Sequence, residues 1–291
     1  MKPASFSYVR AGSAHEAVRL LAERPGEVRL LAGGQSLVPL LNMRLVRPAV
    51  LVDINRIPDM DRVAETSDEI AIGALTRYSS IERSEAIRRR LPLLAEGVRL
   101  IGDRQIRNRG TIGGALAHGD PTGEMPLVAM ALGASVEILG PGGTREVPID
   151  ELYLGPYTTA LGPDEMITRV RLPVIPGRIG AIEEQARRHG DFAVVAVAAT
   201  GVKEAGGRWG EVRVAVAGVG PYAFVCGEAG TELSGTSLDE SSVERGIRAC
   251  LAEADPRDDA RASAEYRLHL LPILVRRALN RLVSRRGALG G

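Results

Sequence analysis

Cysteine is nearly missing from this chain of 291 residues: there are only Cys226 and Cys250, and they do not form a C-x-x-C pair. An iron–sulfur cluster held by cysteine alone needs four thiolates, and a structural zinc site needs four nitrogen or sulfur ligands. The four histidines, His15, His118, His189 and His269, are scattered, so the sequence offers neither site. Both cysteines are expected as reduced core residues of a cytoplasmic protein. Aromatics make up only 3%, too few for the stacking platforms that nucleic-acid bases need. A net charge of +1 leaves no electrostatic footprint for nucleic acid or an anionic membrane. The longest near-apolar run, Phe192 to Val202, falls short of the ~20 residues of a bilayer span. The opening MKPASFSYVR has no apolar signal region, so no signal peptide is expected, and any membrane contact is expected to be at most peripheral. Two familiar phosphate signatures, the Walker A lysine loop and G-x-G-x-x-G, are also missing.

What remains is ordinary for a globular protein, 45% hydrophobic and 25% charged, and long enough for one to three domains. The chain is organised around Leu30 to Ile54, LLAGGQSLVPLLNMRLVRPAVLVDI. Val28 to Leu31 suits a short buried strand, bounded by Pro25-Gly26 and Gly33-Gly34. Ser36 occupies an N-cap position, and Pro39 is tolerable only in a first helical turn. Leu40, Leu41 and Leu45 then space out like one helix face, and Val50 to Ile54 returns as a strand. A glycine turn that opens a helix after a strand offers free backbone N–H groups to an anion, usually a phosphate. The alternative is a tight turn with no ligand.

Residues 110–120, GTIGGALAHGD, repeat the theme with a second Gly-Gly pair, small neighbours, and a polar tip of His118 and Asp120. They lead into EMPLVAMALG, a short apolar helix that must start near Glu124, because Pro126 belongs in its first turn. Two glycine loops beside helix starts could grip one pyrophosphate from two sides; unrelated surface turns are the alternative.

The rest of the chain predicts an α+β protein. Ser13 caps a helix over AHEAVRLLAE, Asn55 to Asp68 is a polar connection, and Glu69 to Ala74 is a strand. Ser79 or Ser80 opens a helical region to about Ile101, restarted at Pro92. Ser135 to Leu139 and Thr144 to Ile149 form a hairpin, Tyr153 to Leu161 a loop, and Glu165 to Leu172 a strand. PVIPGRIG, from Pro173 to Gly180, is the best domain boundary. Beyond it, Ile182 to Arg188 reads as a strand, Ala193 to Lys203 is ambiguous between strand and helix, and Glu211 to Val219 is a strand. Asp239 to Ala254 and Glu265 to about Arg285 are helices.

AGGQS at 32–36, TIGGALAHGDP at 111–121 and RRHGDF at 187–192 together resemble the FAD-binding medium subunit of the molybdenum hydroxylases. That family includes carbon monoxide dehydrogenase, nicotine dehydrogenase and the flavin domain of xanthine dehydrogenase. The resemblance is collinear over nearly the whole chain, from SFSYVR to AEYRLHLLPILVRRAL. It implies a two-lobed, PCMH-type FAD-binding domain over 1–177, with subdomains of about 1–56 and 57–177, and a smaller sheet-and-helix domain over 178–291. It further implies that the backbone N–H groups of Ala32, Gly33, Gly34, Gln35 and Ser36, and of Thr111, Ile112, Gly113, Gly114 and Ala115, hold the FAD pyrophosphate, and that Leu37 is also cofactor-binding. Asp120 would bond the ribityl or adenosine part, and His118 a phosphate. The blander roles are a turn carboxylate for Asp120 and an exposed loop residue for His118. Ile101 and Leu161 would pack on the isoalloxazine, with Phe192 as its aromatic neighbour unless Phe192 is ordinary core. Arg187 or Arg188 would be a cation near the ring, or a surface charge.

By the same resemblance, a large subunit with the molybdenum–pterin cofactor oxidises the substrate. A small subunit passes electrons through two [2Fe–2S] clusters to this FAD, which hands them to an external acceptor. The whole is expected as a dimer of heterotrimers, and this chain contributes no substrate-oxidising residue. Two departures bear on FAD affinity: Ala115 stands where many members carry Asn or Ser, and Gln35 where His is common. Gln35 also implies non-covalent FAD, since the attaching His of covalent flavoenzymes often occupies its position. A self-contained FAD-dependent oxidase or dehydrogenase, and a flavin-free scaffold or binding protein, are the competing readings.

Overall fold

The computed structural model describes residues 2–285. The first lobe alternates strand and helix: β1 (Ser7–Arg10), α1 (Ala14–Glu23), β2 (Val28–Leu31), α2 (Leu37–Asn42) and β3 (Val50–Asp53). Its three strands are parallel, in the order β1-β3-β2. β3 is central and buried throughout, as the continuous run Val50-Leu51-Val52 requires. Ser13 caps α1 by accepting a bond from the Glu16 N–H. α2 ends at Asn42, one turn earlier than its leucines suggest, and Leu45 lies outside it, 69% exposed.

The second lobe runs through β4 (Val63–Glu65), β5 (Glu69–Gly73), α3 (Tyr78–Arg83), α4 (Glu85–Arg90), α5 (Pro92–Leu100), α6 (Arg104–Arg109), α7 (Ile112–His118) and α8 (Glu124–Leu132). It continues with β6 (Ser135–Gly140), β7 (Gly143–Pro148), α9 (Ile149–Leu152), β8 (Tyr153–Gly155), β9 (Thr158–Thr159) and β10 (Met166–Pro173). Its main sheet is antiparallel, in the order β4-β5-β10-β6-β7. The polar connection after Asn55 thus contains an edge strand, β4, whose residues are all exposed and so carry no hydrophobic signal. The expected loop after Tyr153 holds the small β8–β9 hairpin.

The last part comprises β11 (Arg178–Gln185), β12 (Val195–Lys203), β13 (Trp209–Ala217), β14 (Phe224–Val225), α10 (Gly227–Leu233), α11 (Glu240–Glu253) and α12 (Ala264–Ser284). Its sheet is antiparallel, β11-β12-β13-β14. The ambiguous Ala/Val run is the strand β12, and its alternation explains why. Ala196 and Ala198 belong to the core shared with α8, whereas Val195 and Val197 belong to the core shared with α11 and α12. A period of two with a different core on each face is a strand signature. Small residues on one face let α8 come close, and every residue of α8 is buried. Molecular contacts therefore run across the expected boundary at Pro173–Gly180, although the sheet changes there. Cys226 and Cys250 are free and fully buried in the second core. The hydrogen bond that the Cys226 thiol donates to Cys250, together with burial, holds its pKa well above the ordinary value.

Candidate functional site

A cavity of about 490 Å³ opens between the two lobes, within the range of small-molecule and cofactor sites. The first lobe contributes Ala32, Gly33, Gly34, Gln35, Ser36 and Leu37. The second contributes Thr111, Gly113, Gly114, Ala115, His118, Asp120, Ile101 and Leu161, and Phe192 comes from the β11–β12 connection. Fifteen of the sixteen residues expected at the site thus line one cavity. The exception is Ile112, which points into the core at 1% exposure.

The two glycine segments are built differently. In the first, no hydrogen-bond partner for the N–H groups of residues 33 to 37 is found among the described residues. Gly34 sits at φ +76°, a left-handed conformation natural to glycine. Ser36 takes the N-cap position of α2, but its side chain makes no cap bond, which leaves those donors open. The Gln35 amide donates to the Gly33 carbonyl at 3.2 Å, so it stabilises its own turn. Because a trans peptide points its C=O and N–H in opposite directions, this bond fixes the Gly34 N–H on the side away from the Gln35 amide.

The second segment is not a loop. Gly113 and Gly114 lie in the first turn of α7, capped by Thr111 Oγ1, which accepts from the Gly114 N–H at 3.2 Å. The Ile112 N–H donates to the Thr76 carbonyl, Gly113 to Ala74 and Ala115 to Thr111. Residues 112–115 therefore have no free N–H groups, and of the expected donors at 111–115 only the Thr111 N–H has no partner among the described residues. Their glycines serve close approach instead. A Cβ on Gly113 would strike Ala74, and one on Gly33 would strike the Arg109 carbonyl. A Cβ on Gly114 would meet only the Thr111 hydroxyl at 2.7 Å and Ala32 at 3.9 Å, so it would fill the gap between the segments.

At the polar tip, Asp120 is 8% exposed. One oxygen closes a turn, accepting from the Thr122 N–H at 2.9 Å and the Thr122 hydroxyl at 2.8 Å. The other receives the Tyr157 hydroxyl at 3.3 Å. The turn role is thus real, and the carboxylate lines the cavity as well. His118 is half-buried against the Tyr157 ring, centroids 5.1 Å apart. Burial lowers its pKa below the ordinary 6.5, so it is neutral at pH 7 and is no cation for a phosphate. Phe192 is 50% exposed on the cavity wall and is not core. Neither expected cation reaches the cavity: Arg187 donates to the Ala260 and Arg261 carbonyls, and Arg188 pairs with Asp191 at 3.1 Å. The cation nearby is Arg261, whose guanidinium lies 5.0 Å above the Phe192 ring and donates to Thr122 Oγ1 at 2.7 Å.

Other lining residues escaped the sequence reading, Arg29 and Glu124 among them. Arg29 on β2 adds a cation. Glu124, the first residue of α8, is 5% exposed, and no other side chain bonds its carboxyl among the described residues. Burial raises its pKa from 4.5 to about 8, with Glu184 and Asp120 adding to the effect. It is therefore protonated at neutral pH and can donate a hydrogen bond into the cavity. The available signal was its position, an acid alone at the head of an otherwise apolar helix.

A cavity lined both by open backbone donors and by Ile101, Leu161 and Phe192 suits a ligand with an anionic centre and a flat apolar group. Residues 4–175 match the family model described as the FAD binding domain in molybdopterin dehydrogenase, and residues 180–282 the CO dehydrogenase flavoprotein C-terminal domain. The chain belongs to the FAD-binding medium subunits of the molybdenum hydroxylases. It is 40% identical to the alpha subunit of the 6-hydroxypseudooxynicotine dehydrogenase complex of Paenarthrobacter nicotinovorans, covering 98% of this chain and 97% of that one. The carbon monoxide dehydrogenase medium chain of Hydrogenophaga pseudoflava is 37% identical, over 96% and 98%. The structure of reconstituted CO dehydrogenase from Oligotropha carboxidovorans superposes with a TM-score of 0.95 at 37% identity, covering 98% of this chain and 100% of that one. As a medium subunit, this chain is a flavoprotein component of a molybdenum-dependent oxidoreductase, and FAD is its cofactor. Among the described residues no helix is long and apolar enough to cross a membrane.

Proposed function

We propose that this medium subunit binds FAD non-covalently between its lobes and relays electrons from the [2Fe–2S] clusters of a small partner subunit to an external acceptor. The substrate is oxidised on a large molybdenum-cofactor subunit. The observation that carries the reading is the row of unpartnered N–H groups at residues 33 to 37 on the cavity wall. Such donors accommodate a pyrophosphate without a lysine. Bound FAD supplies the exchange between one-electron and two-electron carriers. The chain's own residues hold and shape: 33–37 take the pyrophosphate, and the surfaces of Gly114 and Ala115 close over it. Asp120 and protonated Glu124 bond polar groups of the cofactor, while Ile101, Leu161 and Phe192 pack on the ring. Gln35, whose amide cannot be a covalent attachment point, supports the non-covalent assignment.

The cysteine count supports the division of labour, since two thiols cannot bind an iron–sulfur relay. We place the assembly, a dimer of such heterotrimers, in the cytoplasm. We keep 1–177 and 178–291 as its FAD-binding and C-terminal units, a division supported by the change of sheet between β10 and β11; the end of the second unit lies outside the described residues. Affinity purification from the source cell should bring down a large molybdenum-containing subunit and a small cysteine-rich one. The isolated chain loaded with FAD should oxidise no hydroxylase substrate, at most reducing a dye slowly with NADH. Turnover of an organic substrate by the metal-free chain alone would favour a self-contained oxidase instead.

A further inference from the structure

Asn55 and Arg77 lie behind the first glycine turn, and neither lines the cavity. Asn55 follows β3, and its Nδ2 donates to three acceptors: the carbonyls of Leu31 at 3.0 Å and Ala32 at 2.9 Å, and Asp53 Oδ1 at 2.7 Å. Asp53 is itself fixed by the Tyr8 hydroxyl and by the Asn55 N–H at 2.9 Å. The Asn55 Oδ1 accepts from Arg77, whose other guanidinium nitrogen donates to the carbonyl of Arg109. That carbonyl is the group against which Gly33 packs. One hydrogen-bonded chain thus runs from the first lobe, through Asn55 and Arg77, to the end of α6, just ahead of Thr111.

This network has two geometric consequences. In a planar trans peptide, holding the Ala32 carbonyl on the Asn55 side turns the Gly33 N–H to the opposite side. Asn55 thereby does for Gly33 what the Gln35 amide does for Gly34. The fork of Arg77 also fixes how closely the first turn approaches the second segment, because its two acceptors belong to the two lobes. We propose that Asn55 and Arg77 are positioning residues for the pyrophosphate site: Asn55 aims the N–H groups of the first turn into the cavity, and Arg77 sets the gap between the two glycine segments. The proposal rests on the reading of residues 33 to 37 as the pyrophosphate site, and it adds the residues that orient that site from behind.

The test uses the full chain freed of flavin, titrated with FAD, ADP and riboflavin, so that the phosphate and ring contributions separate. The wild type should bind FAD far more tightly than riboflavin, and should bind ADP. Asn55→Ala and Arg77→Lys should each weaken FAD and ADP at least tenfold and leave riboflavin within twofold. Arg77→Lys keeps the charge but loses the fork, so its loss separates positioning from long-range attraction. Asn55→Asp should fail as Asn55→Ala does, since a carboxylate cannot donate to the two carbonyls. A destabilised control in the same lobe, Val52→Ala, should lower the melting temperature without changing the ratio of ADP to riboflavin affinity. If Asn55→Ala does not fold, Arg77→Lys carries the test. Wild-type ratios in the variants would overturn the positioning role and leave the site reading standing. A wild type that binds riboflavin as tightly as FAD, and no ADP, would overturn the site reading and the positioning role with it.

Discussion

Gly33 and Gly114 lack a side chain for different reasons, and substitution separates them. Gly114→Val should fill the gap opposite Ala32 and weaken FAD binding at least tenfold, about 1.4 kcal/mol. Only a hydroxyl need move, so the fold should survive. Gly33→Val drives a branched side chain against a backbone carbonyl and should cost about 1–3 kcal/mol of stability as well as the flavin. Thermal melts and flavin content of both variants check this; full flavin in Gly114→Val would remove that segment from the site. Glu124 carries a pH signature. Its pKa rises from 4.5 to about 8, so the folded chain keeps a proton that the unfolded chain releases across that window. Stability contributed by this group therefore falls as pH rises from about 4.5 to about 8 and is level above. The groups facing it include Asp120, Glu184 and the Tyr78 hydroxyl, and Glu184, itself raised to about 7, acts in the same direction. Glu124→Gln should gain on the wild type by about 2–4 kcal/mol more at pH 8 than at pH 5. Equal gains at both pH values would show the carboxyl to be ionised in the folded chain. The glycines were legible because residue type and spacing mark them, and Phe192 only through the family resemblance. Arg261 and Glu124 were not, because what brings them to the cavity is a tertiary contact with no local pattern.

Among the elements, α8 connects the site to the rest of the molecule. Its first residue lines the cavity, and its length is buried between the second lobe and β12–β13. The close approach depends on Ala196 and Ala198 on β12 and Ala215 and Ala217 on β13. Ala198→Leu should therefore overpack this interface and cost about 1–3 kcal/mol, a fall in melting temperature of roughly 2–4 °C for each kcal/mol. Chemical unfolding measures it, and a variant as stable as the wild type would reveal slack between helix and sheet. α8 itself was readable from Pro126 and its apolar run, and β12 only as an apolar segment of undecided type. β4 and α10 were missed for opposite reasons: β4 is wholly exposed, and α10 contains Gly227 and Gly230, poor helix formers. Gly230 is tolerated because a Cβ there would press on the Val212 carbonyl at 2.7 Å. The error at α7 was of the same kind, since a Gly-Gly pair reads as a loop while Thr111 and the contact with Ala74 make it the start of a helix.

Over the whole molecule, the lobes and the last sheet share one continuous core, and α12 is tied back to α5 across the expected boundary. Arg281 and Arg285 both pair with Glu96, the latter at 2.6 Å, and Arg281 also reaches Glu183 at 2.7 Å. These partly exposed pairs contribute little each, so the shared apolar core does most of the joining. It holds Phe192 and Arg261, which lie in the second half of the chain, beside a cavity built by the first. The cysteines stand apart, fully buried in the far core, where they can neither ligate a cluster nor attach a flavin. The central claim is that the chain is a carrier of non-covalent FAD. Acid precipitation of the purified chain, followed by identification and quantitation of the flavin released, tests it most directly. The account predicts free FAD in the supernatant at close to one per chain. Flavin that stays in the pellet and migrates with the chain on a denaturing gel, or a chain that takes up no FAD on reconstitution, would contradict it.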